Sequence, residues 1–458
     1  MKRFLLVAAF IILGINMNAQ STIIDYDAYS LKFTVTNESA AECSVTCSTP
    51  PTVETELTIP SSVTIDGVDY AVTSIEDYGF HECEKFVGDL VVPNTVTEIG
   101  DRVFRSCTGF NGTITLSENL ESIGEMAFGG GGYTVMNFTG KLTIPGGVEY
   151  MGDACFQNCS YLTSLEFEEN SKLTTISQYS FFNCSGLTGE LVIPEAVSAI
   201  EYVGFCSCKG LTSLQLPNGI KTIDEGAFES CGFTSVHIPN SVINFGIRAF
   251  MSCENLESVT FDDDMQIESI SGYFLTSCAK LKNIEIPSSV NVIGEGALWN
   301  CTSLTNVEIP SGVTLVESGA FNGCSSLSSI ICNPESVPAT GEDVFDGCPV
   351  DMKIYVLPCS VDAYKALYPW NRFIILPMGE GVVSIDSESA NVYPNPSEAN
   401  AQINLGDTFN RVEVYNAAGA KVAEYKETDN ISGIETSGVY FIKAVNDDKV
   451  RTCRIVVK

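Results

Sequence analysis

The sequence predicts a repeat solenoid, short parallel strands stacked in about twelve coils, followed by a small C-terminal antiparallel β-sandwich. Three observations predict it. First, Phe stands three residues before Cys at Phe80/Cys83, Phe104/Cys107, Phe156/Cys159, Phe181/Cys184, Phe205/Cys208, Phe228/Cys231, Phe250/Cys253, Phe321/Cys324 and Phe345/Cys348. Leu275/Cys278 and Leu298/Cys301 are conservative variants, and Phe128 marks a unit without its Cys. The Cys spacings of 24, 52, 25, 24, 23, 22, 25, 23, 23 and 24 fit one unit of about 24 residues, the 52 being two units across Phe128. Second, strands end at a fixed proline: Ile59-Pro60, Val92-Pro93, Ile144-Pro145, Ile193-Pro194, Leu216-Pro217, Ile238-Pro239, Ile286-Pro287 and Ile309-Pro310. Proline has no N–H to give to a strand ladder, so every coil turns there. Third, the composition changes after residue 378 and a different pattern of alternating strands begins.

Within a unit, Leu281, Ile284 and Ile286 alternate around polar residues as one short strand demands. A second apolar pair follows, as in Ile99-Gly100, Ile123-Gly124, Ile223 and Ile293-Gly294, before the step that turns Phe and Cys inward. One unit cannot cover its own apolar face, so units must stack at about 4.8 Å, and twelve give a rod of roughly 58 Å. Open ends are edge strands and need covering. Residues 21–73 supply an N-terminal β cap, with alternating strands at 29–33 and 68–72. The repeats run over 74–348. Residues 349–378 form a C-terminal cap, in which 354–377 breaks the period with Tyr364, Tyr368, Trp370 and Phe373.

Residues 1–20 carry the parts of a secretory signal: Lys2 and Arg3, an apolar run Phe4 to Ile15, and a polar stretch ending Asn18-Ala19-Gln20. Twelve apolar residues are too few to cross a bilayer, and no other stretch approaches the ~20 needed, so no transmembrane segment is expected. The first Cys is Cys43, which argues against a lipid anchor at the cleavage site. With 24 Lys and Arg against 57 Asp and Glu, the net charge of −33 repels phosphate backbones and anionic lipid. Nucleic acid is therefore not an expected partner. Charged residues are only 18% of the chain, so the acidity decorates a folded surface rather than a disordered one.

The repeat units resemble the BspA-like leucine-rich-repeat surface proteins of bacteria, whose units carry the same Ala-Phe, Cys-x-x-Leu and Ile-Pro steps; the resemblance covers about residues 57 to 377. It implies a surface protein of a family whose members serve adhesion, aggregation and unassigned surface roles. The Gly129–Gly132 run departs from the pattern and leaves the geometry of that coil open.

Residues 379–391 read as a Gly- and Ser-containing acidic linker. Alternating strands follow at 411–415, 421–425 and 439–443, with turns at 416–419 and 446–448, in a module spanning 392–458. This module is similar to the type A sorting domain of the type IX secretion system, through VYPNP at 392–396, VEVYNAAG at 412–419, SGVYFIK at 437–443 and RIVVK at 454–458. Tyr393, Pro394, Asn395, Pro396, Gly419, Gly438 and Tyr440 carry the match. The resemblance implies handling by the secretion machinery and its sorting protease, passage across the outer membrane, and surface attachment through processing of this domain.

Catalysis is not expected. The only two histidines, His81 and His237, lie six coils apart, about 29 Å, and cannot share a site. No cofactor and no metal are expected either. Asp262-Asp263-Asp264 and Glu168-Glu169 sit after strands, but lack the spaced Asp-x-Asp-x-Asp-Gly pattern of a calcium loop. The ladder cysteines read as small buried hydrophobes, whereas Cys43/Cys47, Cys206 and Cys332/Cys359 fall outside the ladder and are the better disulfide candidates. Cys453 looks like a buried thiol of the last strand. Because stacked strands turn each outward position into a column, two polar columns are the candidate binding face for a host or matrix protein or glycan. One is Ser164, Ser213, Ser235, Ser258, Asn283, Asn306 and Ser329; beside it run Glu166, Gln215, His237, Thr260, Glu285 and Glu308. Two rival readings are a self-associating structural surface or biofilm component and a carbohydrate-active enzyme.

Overall fold

The computed structural model describes residues 20–378, 403–416, 420–432, 434, 438–446 and 449–457. Signal residues 1–19, the 379–391 linker and sorting-motif residues Tyr393, Pro394, Asn395, Pro396 and Gly419 lie outside the described residues, as does the Cys453 side chain. Contacts divide the chain after Cys253 into two units.

In the first unit the chain begins antiparallel and becomes parallel. Strands Ser21–Asp25, Ser30–Asn37 and Glu42–Thr49 pair antiparallel in turn. Glu42–Thr49 then pairs parallel with Val68–Ile75, which is flanked by Ser62–Ile65 and runs parallel with Glu98–Ile99. Val68–Ile75 is thus at once the last cap strand and the first rung of the coils. The strand expected at 29–33 falls in Ser30–Asn37 and that at 68–72 in Val68–Ile75.

Each coil contributes two strands where the sequence predicts one. The expected strand before the proline forms one parallel ladder, for example Gly140–Ile144 with Leu162–Phe167 and Gly189–Val192 with Leu211–Gln215. The second apolar pair forms another. Glu98–Ile99, Ser122–Ile123 and Tyr150–Met151 stack in parallel register, and so do Thr175–Ile176, Ala199–Ile200, Thr222–Ile223 and Asn244–Phe245. Two-residue strands carry too little alternation to be seen in one sequence; stacking alone makes them strands. In the second unit the same two ladders recur, as Asn306–Ile309 with Ser329–Cys332 and as Val292–Ile293 with Leu315–Val316.

The third side of each coil is the turn that carries Phe. The Phe N–H donates to a backbone carbonyl of the next coil, as from Phe80 to Val103 (3.0 Å), Phe181 to Gly204 (2.8 Å) and Phe321 to Val344 (2.9 Å). Residues two before and two after the Phe are left-handed: Tyr78 and Glu82, Arg102 and Ser106, Tyr179 and Asn183, Gly319 and Gly323. The Asn and Gly choices suit that conformation, whereas Val203, with φ of 47°, is a β-branched residue held there by its surroundings. These turns bring Phe and Cys inward as expected. Phe80, Phe104, Phe128, Phe156, Phe181, Phe205 and Phe228 are fully buried, and successive rings stack 5.0 to 5.8 Å apart.

The ladder cysteines do more than fill space. After Cys83, ladder thiols donate to the carbonyl of the Phe or Leu one coil earlier: Cys107 to Phe80 (2.9 Å), Cys184 to Phe156 (3.2 Å), Cys231 to Phe205 (3.2 Å), Cys324 to Leu298 (3.1 Å) and Cys348 to Phe321 (3.2 Å). A buried carbonyl thereby gains a second partner. Burial pushes the thiols of Cys107, Cys184 and Cys301 up to about 12, so they stay protonated donors.

In the Phe128 coil, Gly131 stands where Cys would be. An added Cβ there would lie 2.6 Å from the Arg105 guanidinium, which fills the space instead. The coil then lengthens, burying Met136 and Phe138 and leaving Tyr133 fully exposed.

The C-terminal segment interrupts the sequence period without interrupting the ladder. Lys353–Val356 pairs with Ser329–Cys332, and Ile374–Pro377 pairs with Lys353–Val356, both in parallel register. Between them a short helix, Val361–Ala366, places Tyr364 in the core, and Trp370 packs on Phe345 and Tyr364. Tyr368 is exposed and contributes nothing to that core. The described part of the C-terminal module is one four-stranded antiparallel sheet of Ile403–Asn416, Lys421–Ile431, Gly438–Asn446 and Lys449–Val457. Val412, Val414, Tyr440 and Ile442 are in its buried face. Tyr440 of the sorting motif is thus a core residue, and Gly438 begins its strand.

Candidate binding face

Alternation along a strand sends every second side chain outward, and parallel stacking without slip lines those side chains up. In the first unit Lys141 pairs in register with Ser164 and Thr143 with Glu166, while Glu190 pairs with Ser213 and Val192 with Gln215. Ser235 and His237 lie exposed on Ser235–Ile238. In the second unit Ser258 stands beside Asn283, and Asn306 leads to Ser329 and Lys353. Glu285 and Glu308 form a parallel bridge. Thr260, Asn283, Glu285 and Asn306 are exposed; Ser164, Ser213, Ser258 and Glu308 are half-buried.

The columns are wider in membership than the sequence suggests. Lys141, Glu190 and Lys353 belong to the first column, and Thr143, Val192, Ile331 and Tyr355 to the second. Two of the added members are cations and several are apolar, so the face is mixed rather than a run of small polar groups. Charges are paired across coils: Lys141 with Glu166, and Lys282 with Glu257 at 2.6 Å. Glu190 accepts from the Gln215 amide at 2.8 Å and the Ser213 hydroxyl at 3.3 Å, and Glu308 accepts from Asn333 at 2.9 Å.

A second surface, invisible in the sequence reading, lies on the turn edge of the first unit. The ring of Tyr179 meets those of Phe182 (5.7 Å) and Tyr202 (5.3 Å). Arg248 pairs with Glu225 close by, and the charge of Arg248 also acts on Glu229. Tyr179 and Tyr202 lie on the same turn of adjacent coils, two and three residues before the Phe. Aligning the repeats on Phe sets Tyr179 beside Val203, one residue past Tyr202, so neither that alignment nor strand alternation picks out the pair.

Partial burial pushes Glu201 and Glu229 above the usual carboxylate range, opposed at Glu201 by the Gln178 N–H and at Glu229 by Arg248. A carboxyl whose folded value is raised binds its proton more readily folded than unfolded. Its contribution therefore opposes folding above the folded value and vanishes below the unfolded one. Glu201→Gln is accordingly expected to melt above the parent at pH 7, with the gap closing below about pH 4. Melting temperatures measured from pH 4 to 8 test this, and a gap that stays constant with pH contradicts the assignment.

The disulfide candidates, whose pairing the sequence leaves open, are free thiols in the structure. Cys43 and Cys47 lie on one strand, four residues apart, about 13 Å along the chain, and cannot bridge. Cys332 is buried against the Tyr364 hydroxyl at 3.1 Å, whereas Cys359 is exposed. Cys206 sits beside Ser207 on a turn. Among the described residues, no three His, Cys, Asp or Glu gather as metal ligands. No helix of the described residues is long and apolar enough to cross a membrane.

A two-ladder parallel solenoid with a stacked Phe spine, followed in the chain by an antiparallel sheet, defines the class of β-solenoid repeat proteins. The chain belongs to the BspA type leucine-rich-repeat family, whose region matches in six copies over residues 73–189, 174–267 and 247–365. Residues 391–458 match the secretion system C-terminal sorting domain. That domain takes the chain across the outer membrane to the cell surface or extracellular space and implies handling by the type IX machinery. Among solved structures, a leucine-rich-repeat protein from Bacteroides ovatus is similar, with 23% identity and a TM-score of 0.52, over 77% of this chain and 99% of that one. A leucine-rich cell surface protein from Faecalibacterium prausnitzii is also similar, with 22% identity and a TM-score of 0.40, over 73% and 94%. The first of these shows the fold. No curated protein matches.

Proposed function

We propose that the chain is a non-catalytic scaffold that presents its outward strand columns to a host or matrix protein or glycan, after sorting-protease processing has attached it to the surface. The observation that supports this most directly is the register: in each unit, neighbouring coils repeat hydrogen-bonding side chains at one strand position, giving a ligand many equivalent contacts. The half-buried rings of Tyr179, Phe182 and Tyr202 favour a sugar as one class of ligand, since pyranose rings pack on aromatic faces.

The test is adhesion of whole cells displaying Glu285→Lys with Glu308→Lys. Binding is expected to fall about fivefold, because the two positions are adjacent and both change sign. Unaltered melting of the secreted variant separates lost contact from lost fold, and unchanged adhesion with an intact fold rejects this face. Concentration-dependent self-association of the parent chain would replace the proposal with a structural surface component, and hydrolysis of a glycan panel would replace it with an enzyme.

A further inference from the structure

The thiol ladder has a first rung that differs from all the others described. From Cys107 onward, a ladder thiol donates to the Phe or Leu carbonyl one coil earlier. Cys83 belongs to the first coil and has no coil before it. Its place in the pattern is taken by the end of the cap strand Glu42–Thr49: the Cys47 N–H donates to the Gly79 carbonyl at 2.7 Å, and the Thr46 hydroxyl to the same oxygen at 3.0 Å. This holds Cys47 against the turn that carries Phe80 and Cys83, in the place that Phe80 takes for the next coil by donating to the Val103 carbonyl at 3.0 Å, and it brings the Cys47 and Cys83 side chains together.

We propose that Cys47 and Cys83 form a disulfide in the exported protein, a clamp that locks the N-terminal cap onto the first coil. Export places the chain in the oxidising periplasm before it crosses the outer membrane. The two thiols are unequal in the way the chemistry needs. Cys47 is partly exposed, and the hydrogen bond from Cys83 holds it below its ordinary value, so its thiolate is the accessible nucleophile. Cys83 is buried, and the same contact together with burial raises it. The ladder thiols are raised by burial and occupied with carbonyls, which protects them from the same reaction.

The oxidant is a protein disulfide of the thioredoxin-fold class. The Cys47 thiolate attacks one sulfur of that disulfide, giving a mixed disulfide and a thiolate on the oxidant. The Cys83 sulfur then attacks Cys47, its proton passes to the departing thiolate, and the oxidant leaves as the reduced dithiol. Two electrons move from the protein to the oxidant as one S–S bond forms.

The experiment is thiol mapping of the full chain collected after export, alkylated without reduction and digested before Asp. Cleavage there separates residues 27–65, which hold Cys43 and Cys47, from residues 77–88, which hold Cys83. The expected result is a linked pair of these two peptides that separates on reduction. The link should persist in Cys43→Ser and disappear in Cys47→Ser. Reduction of the parent chain should lower the melting temperature by about 5 °C, the order expected for a closed loop of this length in a chain of this size. Quantitative alkylation of both Cys47 and Cys83 without prior reduction overturns the proposal, and so does a link that survives Cys47→Ser.

Discussion

Phe181→Ala is expected to cost about 3–5 kcal/mol, the range for deleting a buried ring that its surroundings cannot collapse onto. Phe181 is fully buried, stacked 5.7 Å from Phe156 and 5.1 Å from Phe205, with Phe167 edge-on at 6.2 Å. Its loss removes a ring contact from the coils on both sides at once. In a stack where each coil touches only its neighbours, that weakens two interfaces rather than one. Thermal unfolding followed by calorimetry should show a lowered and broadened transition. Tyr179→Ala, two residues away on the half-exposed turn, is the control and should cost less than about 1 kcal/mol. Equal losses from the two variants would mean that the Phe spine does not hold the coils together.

Gly124→Ala should be as damaging, although it adds a single methyl. A Cβ on Gly124 would lie 2.4 Å from both the carbonyl carbon and oxygen of Gly100, and 2.6 Å from the Asp101 nitrogen. All three atoms are backbone, so no rotamer change relieves the clash. The coils would have to separate where Gly124 N–H meets the Ile99 carbonyl at 2.8 Å and Ser122–Ile123 pairs with both neighbours. The cost should exceed the ordinary ~1–3 kcal/mol of overpacking. Gly219→Ala is the matched control, because its nearest neighbour would be 3.7 Å away. It should fall within about 1 kcal/mol of the parent in denaturant unfolding. A harmless Gly124→Ala would show that the coils can spread at this corner.

These two substitutions show what was legible in advance. Phe181 was readable as a core residue because its spacing recurs, and a position that recurs once per coil has to face the shared interior. The glycines after Ile99 and Ile123 were readable as recurrent, but not for their reason. It is the approach of the neighbouring backbone, a property of two coils together, that forbids a side chain there. Similarly, the strand before each proline was visible through its alternation, while the two-residue strands such as Ser122–Ile123 exist only because neighbouring coils supply hydrogen bonds. Among candidate site residues, alternation placed Ser164, Gln215, Asn283 and Glu285 on outward strand positions. It omitted Lys141, Glu190 and Lys353, whose membership depends on which residue of one coil sits beside which residue of the next.

By itself, then, the sequence determined the coil period, the buried Phe and Cys positions and the export signature, because each is a repeated or ordered local pattern that one chain displays in full. Tertiary structure decided the second ladder, the thiol-to-carbonyl bonds, the grouping of Tyr179 with Tyr202 and the meeting of Cys47 with Cys83. Each of those is a distance between residues far apart in sequence, roughly one coil or more, and periodicity places a residue on a face without saying what it touches across the gap.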